Sequence, residues 1–218
     1  LKDQVVLDPD MLPVEAARRR DFTINSLYYD PETDYVGDHF GGLKDVHNKL
    51  LRVTDPVTFV EDPIRCLRGA QLLARKCHAV ELRTDLLCAS LVPQLRGLPQ
   101  ERIYEEWKKL LMLAWEPSQG LRFLLGIGAL VEFPEVGALV GCEQNAEWHP
   151  EGDVWEPTLR VVDAAAKAIR CQREDLPQLP EEWHEGFMFG ALCHDMGKPL
   201  VTDEELKAHG HDTAGEDP

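Results

Sequence analysis

Apolar positions recur at helical spacing over most of the chain beyond residue 57, and at no sustained period before it. Over 63–77 the spacing places Ile64, Leu67 and Leu72 along one side of a predicted helix. A second helix is predicted over 83–95, ending near Pro93, and a third over 100–115 with an apolar stripe of Ile103, Trp107, Leu110 and Leu111. A fourth is predicted over 118–133, closed by Pro134, a fifth over 153–170 and a sixth over 187–198, ending at Gly197. The stretch 171–186 carries two prolines and reads as a loop, and the chain after Lys198 is polar and reads as poorly ordered.

Before residue 57 the pattern is shorter-ranged. Residues 1–11 read as a strand end and a turn. Pro13 suits the first turn of a helix with Glu15 near its N-terminus, and that helix is expected to reach Tyr28 or Tyr29. Residues 30–42 are turn-rich around a short strand pair at Tyr35–Val36, and 49–55 read as a second extended piece. The picture is a helical array preceded by a small β-containing piece.

Composition narrows the class. The 218 residues are 44% hydrophobic, ordinary for a globular protein. No apolar run reaches the roughly 20 residues that span a bilayer, and the charged start, broken by Pro9, does not read as a signal peptide. The six cysteines, Cys66, Cys77, Cys88, Cys142, Cys171 and Cys193, form no CxxC pair, which argues against a zinc ribbon or dithiol site. They read as reduced core thiols of a cytoplasmic protein.

Charge divides the chain. The net of −16 is concentrated in residues 111–218, with 7 basic against 21 acidic side chains, while residues 1–110 carry 16 against 18. Phosphate contacts need Lys or Arg, so any nucleic-acid surface belongs to the first half.

Three stretches hold candidate chemistry. In "RRRDFTINSL" (18–27), a continuous helix would put Arg18, Asp21 and Asn25 on one face and turn Arg19 and Arg20 elsewhere. The arginines are either surface groups paired with Asp21 and Glu15, or an anion site whose guanidinium forks meet phosphate oxygens while a carboxylate accepts from a ribose hydroxyl. In "VEDPIRCLRGAQ" (60–71), Asp62 and Arg65 differ by three, as do Arg65 and Arg68. The first pair is either an intrahelical ion pair or a set of donors and acceptors matched to a nucleobase edge. In "ALCHDMGKP" (191–199), His194 and Asp195 are either two ligands of one metal ion or a buried hydrogen-bonded pair.

Together, and in this order, these segments resemble the bacterial tRNA nucleotidyltransferases, the CCA-adding enzymes and their poly(A)-polymerase relatives. "RRRDFTINSLYYDP" resembles the family's RRD motif, "GDHFGGLKDV" its turn segment, "EDPIRCLRGAQLLAR" its EDxxR motif and "LPQERIYEEWKKLL" its ERxxxE helix. "WHPEGDVWEPTL" and "ALCHDMGKP…HGHDTAG" resemble the HD domain of some members. The resemblance implies a mainly α fold: the C-terminal α/β remnant of a nucleotidyltransferase head (1–55), a neck that recognises the base (56–98), a helical body that holds tRNA (99–143) and an incomplete HD-like domain (144–218).

It also implies template-independent transfer of C, A or both from CTP and ATP to the 3′ end of tRNA, with CCA, CC-only, A-only and poly(A) addition all left open. The partners are the tRNA acceptor end and the two nucleotides, with no membrane and no DNA. Arg20 would contact the incoming nucleotide, Asp21 its sugar, and Arg19 and Asn25 would support the site. Asp62 and Arg65 would read the base, and Arg68 would face the triphosphate. The Mg²⁺-binding DxD pair of the family has no match in this chain, which is therefore expected to be a fragment that does not catalyse transfer alone. Two further positions depart from the family. Gln71 stands where an arginine is common, and Pro157 where the HD domain's first histidine belongs. The Ni²⁺ or Mn²⁺ centre implied for that domain would keep His194 and Asp195, with His149, His209 and His211 as substitute ligands. The competing readings are an HD phosphohydrolase acting on 2′,3′-cyclic or 2′-phosphate ends and a non-catalytic RNA-binding helical module.

Overall fold

A computed structural model describes residues 10–145, 152–171, 179–203 and 206–214. The expected strand end and turn at the start of the chain, and His149, lie outside these residues. Among them, no helix is long and apolar enough to cross a membrane.

The fold is mainly α. Helix α1 (Pro13–Arg18) leads through an extended Phe22 into a 3₁₀ turn, Thr23–Asn25. Strands β1 (Tyr28–Asp30) and β2 (Tyr35–Gly37) form an antiparallel hairpin. Helix α2 (Gly42–Asn48) follows, then β3 (Leu50–Leu51), which pairs in parallel with β4 (Ala79–Val80). Between these two strands lie α3 (Pro56–Phe59) and α4 (Arg65–Lys76). Beyond them run α5 (Leu82–Leu91), α6 (Gln100–Leu113), α7 (Pro117–Gly126), α8 (Pro134–Gly137), α9 (Trp155–Arg170), α10 (Glu181–Cys193), α11 (Lys198–Val201) and α12 (His211–Ala214).

The helix expected to reach Tyr28 stops at Arg18, because Phe22 belongs to the core. Phe22 is fully buried and bridges Val53, with Thr23 N–H donating to Arg52 O and Thr54 N–H to Asp21 O. Phe22 takes φ −121° and ψ 150°, so burying its ring outweighs continuing the helix. The helix expected over 118–133 also divides. Gly128 takes φ 76°, a left-handed conformation that ends α7 and starts a 3₁₀ turn at Ala129–Glu132. Helix α10 begins six residues before the expected start at Phe187, so 181–186 are helical rather than loop. Pro180 precedes it, and Glu181 and Glu182 suit the positive end of its dipole. Past Lys198, the segments Lys198–Val201 and His211–Ala214 are helical rather than unstructured.

One connected hydrophobic core runs from Phe22 through α4, α6, α7 and α9 to Leu192 of α10. Helix α4 is central and packs on α6 and α7. Its crossing with α7 is very close: a Cβ on Gly120 would lie 2.7 Å from Ala70 O and 2.5 Å from a Leu110 methyl. Only glycine permits that approach. Cys66, Cys77 and Cys88 are buried in this core, and burial pushes the Cys66 and Cys77 thiols up to about 12 and about 11. Cys171 and Cys193 are exposed and Cys142 is partly buried, so only half of the cysteines are core residues.

Helices α7 and α9 are also joined at the surface. Arg122 Nη1 and Nη2 donate to both Glu156 oxygens at 2.5 and 2.6 Å. Arg122 holds the Glu156 carboxyl below its ordinary value of 4.5. A depressed acid contributes stability that is present above its unfolded value and lost as pH falls through the folded one. Glu156→Gln is therefore expected to cost a few tenths to about 1 kcal/mol at pH 7 for so exposed a pair. The cost should shrink as pH falls through the carboxylate range and the depressed folded-state value. Urea midpoints of the two proteins at pH 7 and pH 3 check this.

Candidate nucleotide-binding site

Two stretches some forty residues apart meet at the N-terminal end of α4. Asp21 is 3% exposed. Its Oδ1 accepts from Phe22 N–H at 2.8 Å and Asn25 Nδ2 at 3.2 Å, and its Oδ2 lies 3.0 Å from Arg68 Nη2. A buried carboxylate is costly unless hydrogen bonds and a counter-charge compensate it, and here three groups do so. Asp21 and Asn25 thus meet through the 3₁₀ turn rather than along a helix face. Arg18 turns away, 3.9 Å from Asp55.

The floor beneath this turn is fixed by a second buried acid. Asp45 of α2, 2% exposed, accepts from Thr23 Oγ1 at 2.7 Å and from Arg52 Nε at 3.0 Å. Helix α2 can lie this close because Gly42 has no side chain: a Cβ there would sit 2.3 Å from Thr23 O. Asp38 anchors the helix start, accepting from Gly42 N–H at 2.8 Å and Leu43 N–H at 3.0 Å. The glycine pair of "GDHFGGLKDV" therefore supports the RRD turn from below. Asp45 is absent from the residues picked out by sequence; its signal, an acid three residues past the glycines, is weak.

Arg65 opens α4 and holds two loops together. Its Nη1 donates to Thr58 O at 2.5 Å and its Nη2 to Arg19 O at 2.9 Å. Of the two readings of Asp62 and Arg65, the intrahelical ion pair does not form. Asp62 precedes the helix, which starts at Arg65, and its Oδ2 instead accepts from Arg102 Nη2 of α6 at 2.7 Å. Arg102 is a functional candidate that the spacing of the EDxxR segment cannot reveal, since its partner lies forty residues away. Arg19 and Arg20 lie on the exposed surface beside this turn. Gln71 points into the core at 5% exposure and accepts from Arg75 at 2.7 Å.

The cluster therefore presents Arg19, Arg20, Arg65 and Arg68 around one short turn, with Asp21 and Asn25 beneath and Asp62 at the edge. Arg65 has five N–H donors and uses two on backbone carbonyls, and one Asp62 oxygen remains outside its pair with Arg102. Such a surface can take an anionic group and a planar donor–acceptor edge together.

At the other end of the chain, His194 Nε2 lies 3.2 Å from Asp195 Oδ2, and Lys198 Nζ lies 2.9 Å from the same oxygen. His211 Nε2 is 3.7 Å from Asp195 Oδ1. Burial alone would raise the Asp195 carboxyl, but the His194 and Lys198 hydrogen bonds outweigh it and hold it at about 2. Asp195 in turn raises His194. The ammonium of Lys198 thus already compensates the carboxylate expected to ligate a metal. Pro157 lies in the first turn of α9, a position where proline is tolerated. Among the described residues, no three or more His, Cys, Asp or Glu side chains converge in a way that could hold a metal ion.

Residues 10–52 match the profile of the Poly A polymerase head domain. A multifunctional CCA protein of Stenotrophomonas maltophilia (strain K279a) is 38% identical over 208 residues, covering 93% of this chain and 48% of that relative. Another from Xanthomonas campestris pv. campestris (strain B100) is 36% identical, covering 93% of this chain and 47% of that relative. Among solved structures, a tRNA-processing enzyme with CTP superposes with a TM-score of 0.60 at 25% identity, over 93% of this chain and 53% of that one. The class these likenesses point to is that of the poly(A)-polymerase-type nucleotidyltransferases. Within that class, the chain is similar over 93% of its length to bacterial multifunctional CCA proteins. It spans about half the length of the curated relatives it matches.

Proposed function

We propose that this chain supplies the nucleotide-selecting part of a template-independent nucleotidyltransferase that adds C and A from CTP and ATP to the 3′ end of tRNA. One observation carries the reading: the RRD and EDxxR segments are joined at α4, through Asp21 to Arg68 and Arg65 to Arg19 O. Residues 56–98 act as the selecting neck, and the helices beyond them support the acceptor arm. The setting is cytoplasmic, where the tRNA and nucleotides are.

The chemistry of the choice follows from the groups present. Cytosine and adenine both carry an exocyclic amine beside a ring-nitrogen acceptor. Uracil and guanine place a carbonyl beside an N–H there. Of a carboxylate and a guanidinium side by side, the carboxylate accepts from the amine and the guanidinium donates to the ring nitrogen, so Asp62 and Arg65 suit C and A and leave unmatched groups against U and G. Arg20 and Arg68 meet the triphosphate, Asp21 and Asn25 the sugar, and Arg19 supports the turn. The family generally uses Mg²⁺, but the described residues bring together no carboxylate set for it, so no step is assigned to the metal here.

The test is an extension assay in a protein joining this chain to the paired carboxylates that the family places before it. With tRNA lacking its 3′ CCA, labelled CTP and ATP are expected to be incorporated and labelled UTP and GTP are not. Incorporation of all four at similar rates, or of none, overturns the proposal.

A further inference from the structure

A second site lies away from the nucleotide cluster. A cavity of about 550 Å³ opens between the 3₁₀ turn Val92–Gly97, α6, the segment 129–136 and α10. None of Asp21, Asp62, Arg65 or Arg68 lines it. Its walls are aromatic and aliphatic: Trp107 and Phe133 meet edge-on at 5.1 Å, Tyr104 and Phe189 stack at 5.9 Å, and Ile103 and Leu192 fill between them. The volume is that of an ordinary small-molecule site.

Its polar groups are biased toward one charge. The side chain of Glu132 is only 6% exposed, while its partner Arg96, at 2.5 Å, is 72% exposed. Arg96 lines the cavity as well, but its side chain is largely exposed while that of Glu132 is buried. Glu135 adds a second carboxylate at the rim with no basic partner among the other lining residues. Ring faces and carboxylates both attract a cation. The charged lining residues are Arg96, Glu132 and Glu135, a net of −1.

We propose that this cavity binds an organic cation: a protonated amine carried on an apolar, aromatic body, with the rings against Trp107 and Phe189 and the ammonium toward Glu132 and Glu135. Cys193 lies on the cavity wall and is exposed enough to be alkylated, whereas Cys171, also exposed, lies elsewhere. The pair gives a reporter and an internal reference.

Three probes share one body and differ in charge: 4-phenylbenzylamine, 4-biphenylmethanol and 4-biphenylacetate. Iodoacetamide labelling of the chain is followed cysteine by cysteine by peptide mass spectrometry. The amine at millimolar concentration is expected to slow labelling of Cys193 roughly tenfold and leave Cys171 unchanged, with the alcohol weaker and the acid weakest. Glu135→Gln, at an exposed position, is expected to weaken the amine roughly three- to tenfold and leave the alcohol unaffected. Leu192→Trp, which fills the cavity, removes protection. No protection by the amine, or equal protection by amine and acid, overturns the proposal. So does protection of Cys193 that grows with protein concentration in the absence of a probe, since a second copy of the chain would then be the occupant.

Discussion

Arg65→Ala is expected to reduce the preference of this chain for CTP and ATP over UTP and GTP by roughly 5- to 150-fold, the range that one good bidentate contact to a base edge supplies. Equilibrium dialysis with each labelled nucleotide reads the effect directly. The loss has two sources. The guanidinium no longer donates to the base, and Thr58 O and Arg19 O lose the donor that ties α3 and the arginine turn to α4. Arg65→Lys separates them: an ammonium can reach one carbonyl but cannot present a planar fork. Its expected behaviour is near-normal total nucleotide affinity with weakened base choice. Should Arg65→Ala bind all four nucleotides with the same ratios as the unaltered chain, the base-edge role of Arg65 is wrong and its carbonyl bonds are its whole function.

The largest effect on stability is expected at Phe22. Its ring is fully buried and packs edge-on against Phe59 at 5.4 Å and 69°. Phe22→Ala is expected to cost about 3–5 kcal/mol, combining lost transfer energy with the cavity left behind. Urea denaturation followed by circular dichroism measures it. Phe22 also neighbours Asp21 in sequence, so the substitution should weaken nucleotide binding even where the protein remains folded. Phe22→Leu, which keeps an apolar side chain there, is expected to recover most of both losses. A cost under about 1 kcal/mol for Phe22→Ala would mean that the RRD turn is held by its polar contacts alone.

Helices α4, α6 and α9 were legible because each keeps a one-sided apolar pattern, whereas α10, which lacks one, was read as loop over its first six residues. Ile64, Leu67 and Leu72 are all buried as their spacing predicts, as are Trp107, Leu110 and Leu111. What local spacing cannot show is a partner far away in sequence. Phe22 breaks a helix because Val53 and Phe59 receive it, and Asp62 turns to Arg102 rather than to Arg65. The candidate site residues were picked out by their types and order, while their contacts depended on how α4 and α6 cross. The aromatic cavity was hidden for the same reason: Trp107, Phe133 and Phe189 come from three separate segments with no shared period.

The missing side chain at Gly120 has a mechanical consequence. With Ala70 O pressed against the Gly120 backbone, α4 has no clearance to slide along α7. A displacement of α4 relative to its neighbours is therefore resisted at the Gly120 crossing, and the Arg122–Glu156 fork adds a second tie between α7 and α9.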